Sequence, residues 1–120
     1  MINAKLSIKL DMNGIGKRHE QALQKAQLVL DEQVLKDSNR FIPKDTGNLE
    51  RSSSLHSRLG EGHIEWNTPY AARLYYNPQY NFSKDSNPMA QGLWYEAAKA
   101  QRNPVWVELT KRAYKRIFGG

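Results

Sequence analysis

Apolar and polar residues alternate without a fault at the start of the chain. Ile2, Ala4, Leu6, Ile8 and Leu10 fall on one side, and Asn3, Lys5, Ser7, Lys9 and Asp11 on the other. A period of two predicts a strand with one wet face. The stretch Asn13 to Gly16 has turn composition. After it, Ala22, Leu23, Ala26, Val29, Leu30 and Val34 recur at helical spacing, which predicts a long amphipathic helix to about Arg40. Pro43 forces that helix to end, because proline lacks a donor and biases Ile42 towards extended backbone. Phe41 and Ile42 are expected to pack as the chain leaves. Next, Asp45 or Thr46 can accept hydrogen bonds from the free amides of a short helix around Asn48 to Ser52, and Gly47 permits the sharp bend before it.

From Ser53 to Asn67 the pattern predicts a hairpin around a two-residue Gly60-Glu61 turn. That register pairs Leu59 with Gly62, Ser57 with Ile64 and Leu55 with Trp66 on the buried side. It sets Arg58 beside His63 and His56 beside Glu65 on the outer side. Thr68 as cap and Pro69 at the first helical position then predict a helix of about two turns, with Tyr70, Ala71, Leu74 and Tyr75 on one face. Residues 77–92 hold two Asn-Pro pairs and few aliphatic side chains, which marks a long loop, expected to contact a partner. Leu93 to Ala97 can be read as strand or helix; the aromatic pair favours a strand running into a turn. Asn103 and Pro104 start a last helix, with Val105, Leu109, Ala113 and Ile117 on its apolar face and Trp106 adjacent. The expected fold is a single α+β domain over residues 1–120. A small antiparallel sheet, made of the first strand, the hairpin and a fourth strand if Leu93 to Ala97 joins it, packs against the long helix and the C-terminal helix.

A 120-residue chain that is 39% hydrophobic and 25% charged is globular in composition. Eighteen Lys and Arg against twelve Asp and Glu leave a net charge of +6, which favours acidic partners. The absence of cysteine excludes disulfides and cysteine-based zinc or redox chemistry. There is no signal-like pattern and no apolar run of about 18 residues, so a soluble protein without a membrane role is expected.

Candidate chemistry is sparse. Ser52, Ser53 and Ser54 lack the sequence context of a nucleophile. His56, His63 and Glu65 are few, and a cross-strand charge pair explains them as well as a metal does. His63-Ile64-Glu65 lacks the cysteines that zinc deaminase chemistry demands. No glycine-rich phosphate loop is present. No enzyme, cofactor or metal is therefore expected. Lys111, Arg112, Lys115 and Arg116 form a basic strip opposite the apolar stripe of the last helix. That strip could contact phosphates or simply face solvent, and it supports an alternative reading as a small nucleic-acid-binding module. The many aromatic rings are mostly core, with some free to anchor an interface.

The order of features carries a resemblance. A corner "IPKDTGNLERS" is followed by "WNTPYAARLYY", a polar loop, "GLWYEAAKAQRNPVW" and a basic final helix. This resembles the tailed-phage minor capsid protein family, related to head-tail connector and tail-completion proteins, with the best match over residues 41–76. The resemblance implies that Pro43, Asp45, Thr46, Gly47 and Leu49 shape the corner and that Pro69, Tyr70 and Ala71 open the segment before the loop. It implies a structural virion protein at the head-tail junction, assembled in the bacterial host cytoplasm. Identical subunits would close a cyclic ring, sixfold or twelvefold, around the DNA channel, with neighbouring neck and tail proteins as partners and non-specific DNA contact open to it. In that setting Tyr80 and Phe82 would anchor the loop at an interface, beside Pro69 and Tyr70.

Overall fold

The computed structural model describes residues 4–8, 10, 16–44 and 46–119. The expectations placed on Ile2, Asn3, Lys9, Asp11, Asn13 and Asp45 lie outside the described residues. The elements are β1 (Ala4–Ser7), α1 (Lys17–Ser38), α2 (Asn48–His56), β2 (His63–Trp66), α3 (Ala71–Tyr75) and α4 (Trp94–Ile117). The fold is α+β, with a two-stranded antiparallel sheet and α1 packed along α4. No helix among the described residues is long and apolar enough to cross a membrane.

The first strand and long helix form as their periodicity dictates. Ala4 is buried while Lys5 and Ser7 are exposed, and β1 pairs with β2 from Ala4 opposite Trp66 to Ser7 opposite His63. Helix α1 turns Ala22, Ala26 and Val34 into the core. It ends before Pro43, with Phe41 and Ile42 buried beyond it. The core gathers these around Leu49, Ile64, Trp66, Trp94 and Trp106. Trp94 is its hub, meeting Trp66 and Tyr75 edge-on at 5.6 and 4.7 Å between ring centroids.

The hairpin is only partly as predicted. Arg58 does pair with His63, but Leu55 and His56 belong to α2 and make no ladder with Trp66 and Glu65. The connection is also wider than two residues: the Glu61 amide bonds the Arg58 carbonyl at 3.1 Å, with Gly60 and Gly62 both at positive φ. The reason is that the serines work as helix residues. Ser52 and Ser53 hydroxyls donate to the Leu49 and Glu50 carbonyls at 2.6 Å, within their own helix. The same kind of side chain then serves β2 where a strand would offer carbonyls. Ser57 Oγ accepts the Glu65 amide at 2.9 Å and Ser52 Oγ the Asn67 amide at 3.1 Å. A helix edge with hydroxyls thus substitutes for the hairpin's first arm.

Two further expectations are corrected. Leu93 to Ala97 is no strand, since α4 starts at Trp94 and runs unbroken through Pro104. Trp94, Ala98, Trp106 and Ala113 are its buried residues, a helical face that secures the segment against its β propensity. Pro104 is exposed, so the Ala100 carbonyl it leaves without an amide can face water. The third helix is shorter than expected and starts at Ala71, with Pro69 outside it. Thr68 supports it with its carbonyl, which accepts the Ala71 amide at 3.2 Å, rather than with its hydroxyl.

Two buried carboxylates on α1 hold the other elements in place. Asp31 Oδ2 accepts the amides of Gly60 and Gly62 at 2.7 and 2.9 Å, fixing the turn that leads into β2. Its Oδ1 accepts from Gln27, whose amide group also bonds Ile8 and Leu10 backbone beyond β1. One turn and a half further along, Asp37 Oδ2 accepts the Trp106 indole N–H at 2.6 Å and Arg102 Nε at 3.1 Å, locking α4 to α1. Both carboxylates are tolerated in the interior because each accepts hydrogen bonds from several donors.

Candidate interaction surface

The corner that follows α1 is built by side chains that bond backbone. Asn39 Oδ1 accepts the Trp66 indole N–H at 2.8 Å and its Nδ2 donates to Ser53 Oγ at 3.0 Å. The end of α1, β2 and α2 are thereby joined at one residue. Gly47 adopts φ 78° at the start of α2, a left-handed conformation that favours glycine. Thr46 Oγ1 accepts the Asn48 amide at 3.3 Å, from one residue ahead of the cap position, which Gly47 occupies without a side-chain bond. Leu49 drives into the core from the first turn.

Residues 77–92 lie in the loop between α3 and α4, and this loop is strapped to the corner. Asn87 is buried, and its Nδ2 donates to the carbonyls of Arg40 and Ile42 at 3.0 and 2.8 Å. The Gln91 amide bonds the Phe41 carbonyl at 2.9 Å, and the Leu93 amide bonds the Tyr75 carbonyl at 2.9 Å. Lys84 Nζ turns inward to the Ala90 carbonyl. At Gly92 the backbone comes so close that a Cβ would sit 2.8 Å from the Leu74 carbonyl oxygen. The loop is therefore held at its base while its middle faces out, with Tyr80 43% and Met89 39% exposed.

Two clefts open where loop and corner meet, and Pro43 and Leu74 line both. One, of about 380 Å³, is bounded by Thr46, Gly47, Leu49, Tyr70 and Arg73. The other, of about 400 Å³, is bounded by Tyr80, Asn81, Phe82 and Ser83. The corner residues Pro43, Thr46, Gly47 and Leu49 and three of the residues expected at an interface, Tyr70, Tyr80 and Phe82, thus line adjoining clefts, with Pro69 exposed next to Tyr70. The basic strip does not join them. Lys111, Arg112, Lys115 and Arg116 are all exposed on the last turns of α4, and Arg112 is paired with Glu108 at 3.1 Å. Asn87 and Arg73 were missed by the sequence reading. An Asn before a Pro reads as a turn, and nothing in one sequence marks it as buried.

The titratable groups with displaced equilibria serve packing. Burial alone would raise Asp37, but hydrogen bonds from Trp106, Gln33 and Arg102, with the Arg102 charge, hold it below the ordinary carboxylate range. Glu65 shows the same balance: burial opposes its ionisation, while a hydrogen bond to His63 and the charges of Lys5, His63 and His56 lower it overall. Tyr75 is pushed upward by burial and by its bond to the Glu96 carboxylate, and Tyr95 by burial and the Glu96 charge. Ser52 and Ser53 spend their hydroxyl protons on helix carbonyls. His63 and Glu65 form a pair at 2.8 Å. Among the described residues no group of three or more His, Asp or Glu is placed to hold a metal ion.

A family profile described as minor capsid protein matches residues 6–114. The chain belongs to the minor capsid protein family. That match spans the corner, the loop and nearly all of α4. No curated protein and no solved structure matches the chain. A phage minor capsid protein is a structural component of the virion, of a non-enzymatic kind, and it acts through contacts with other virion proteins.

Proposed function

We propose that this minor capsid protein is a head-tail connector or tail-completion component, a ring of identical subunits at the neck through which DNA passes. The observation that carries the reading is the strapped loop. A long segment is pinned at its base to the corner, yet it keeps Tyr80 and Met89 exposed. Apolar side chains held out on a fixed base are suited to burial against another protein. Strand β1 adds a second joint, because within the described residues it is hydrogen-bonded along one edge only, to β2, and an open edge accepts a further strand. Repeated copies multiply contacts that are weak singly. Particles made without the protein test the reading: separate heads and tails in negative-stain images support it, and joined, complete particles refute it.

A second reading has one observation in its favour. The exposed strip Lys111, Arg112, Lys115 and Arg116 lies near Lys17 and Arg18, because Arg18 Nε bonds the Ile117 carbonyl at 2.9 Å. A basic end of this kind suits non-specific phosphate contact. Binding to duplex DNA that weakens steeply with added salt supports it; no binding at low salt removes it.

A further inference from the structure

The basic end of the molecule also presents an aromatic ring to water. Phe118 continues the helical turn of α4, its amide donating to the Tyr114 carbonyl at 3.0 Å, and it is 42% exposed. Helical spacing sets it in one row with Lys115 and Lys111, both exposed. The ring is held from beneath. His19 meets it edge-on at 5.6 Å between ring centroids, and Tyr114 lies tilted against it at 5.3 Å. His19 Nδ1 and the Tyr114 hydroxyl share a hydrogen bond of 2.8 Å that ties α1 to α4 at this point, and Arg18 Nε donates to the neighbouring Ile117 carbonyl.

We infer that Phe118 is a stacking platform for an unpaired base, so that the basic end selects single-stranded nucleic acid over duplex. The inference rests on the second reading above and names the form of strand that this end takes. Three observations favour it. Contact with phosphates alone gives no role to an exposed phenyl ring within a row of lysines, whereas sites for single strands combine cations along the backbone with aromatic faces for the bases. In a duplex the base faces are stacked on one another, out of the ring's reach. A protein partner suits the patch less well, because covering Phe118 would also take the charges of Lys111 and Lys115 out of water. Among the described residues neither lysine is paired with a carboxylate. Glu20 and Glu108 are acids of the adjoining turns, and Arg112 holds the latter at 3.1 Å.

Fluorescence anisotropy of the full chain with labelled oligothymidylate of about 12 nucleotides, and with a duplex of equal length, tests the inference. The single strand should bind more tightly. Phe118→Leu keeps apolar bulk but removes the π face, and should weaken the single strand roughly tenfold while leaving the duplex unchanged; Phe118→Tyr should retain wild-type affinity. Lys115→Ala should weaken both forms and lower the salt slope on the single strand by about 0.7. Thermal unfolding checks that each variant keeps the fold. A single strand that binds no tighter than duplex, a Phe118→Leu protein that still binds it fully, or an equal loss on both forms overturns the inference and leaves the basic-end reading standing. Binding of neither form at low salt removes both.

Discussion

At the scale of single residues, the ionised side chains of the interior are fasteners, and their titration follows from that role. Asp37 and Glu65 both lose protons more readily in the folded chain than an ordinary carboxylate does. The folded state therefore binds fewer protons than the unfolded state in acid, so their contribution is complete above about pH 4, the unfolded carboxylate range, and fades as pH falls through the lower folded values. Urea midpoints measured from neutral to acid pH should fall along this limb. Asp37→Asn should cost roughly 2–3 kcal/mol at neutral pH, by weakening charge-assisted bonds to Trp106 and Arg102, and should flatten the acid limb. An unaltered limb would show that Asp37 is not the group responsible. Asn87 is the fastener of the loop. Asn87→Ala leaves two backbone carbonyls without their donor, which should cost about 1–3 kcal/mol and should open residues 77–92 to limited proteolysis while α1 and α4 stay protected.

At the scale of elements, the long periodic segments were legible and the short ones were decided by neighbours. The alternation through Ile8 and the Ala22 to Val34 stripe each specify one structure, because only one face of each is apolar. Leu55 and His56 alternate well enough for a strand, but the hydroxyls of Ser52 and Ser57 can satisfy the edge of β2 from a helix and its end. That exchange of side chain for backbone leaves no periodic trace. Pro104 misled in the other direction. A proline after Asn reads as a helix start, yet Trp94 and Ala98 bury on the same face as Trp106, and tertiary packing carried the helix across it. The two readings predict opposite signs. As an interior residue on an exposed face, Pro104→Ala should raise stability by about 1 kcal/mol or more, less than the full helix-propensity difference because the unfolded chain also gains freedom. A loss of stability on chemical denaturation would mean that the proline begins a helix there instead. The candidate surface was half legible: Pro43, Thr46, Gly47 and the aromatic residues of the loop stood out by type, whereas the strap through Asn87 depends on contacts 45 and 47 residues apart.

At the scale of the whole molecule, the long pair α1 and α4 forms the spine of a body 49 Å in its longest extent, 28 and 20 Å in the others. The loop and corner sit towards the start of α4, and the basic strip occupies its far end. Such a layout suits a repeating subunit: one end offers apolar side chains and the other carries positive charge. The most direct measurement is a reconstruction of the head-tail junction of intact particles, without imposed symmetry, with the protein located in it by a tag. The account predicts a closed ring of this chain around the DNA path. Copies scattered over the capsid shell, or a junction that lacks the chain, would contradict it.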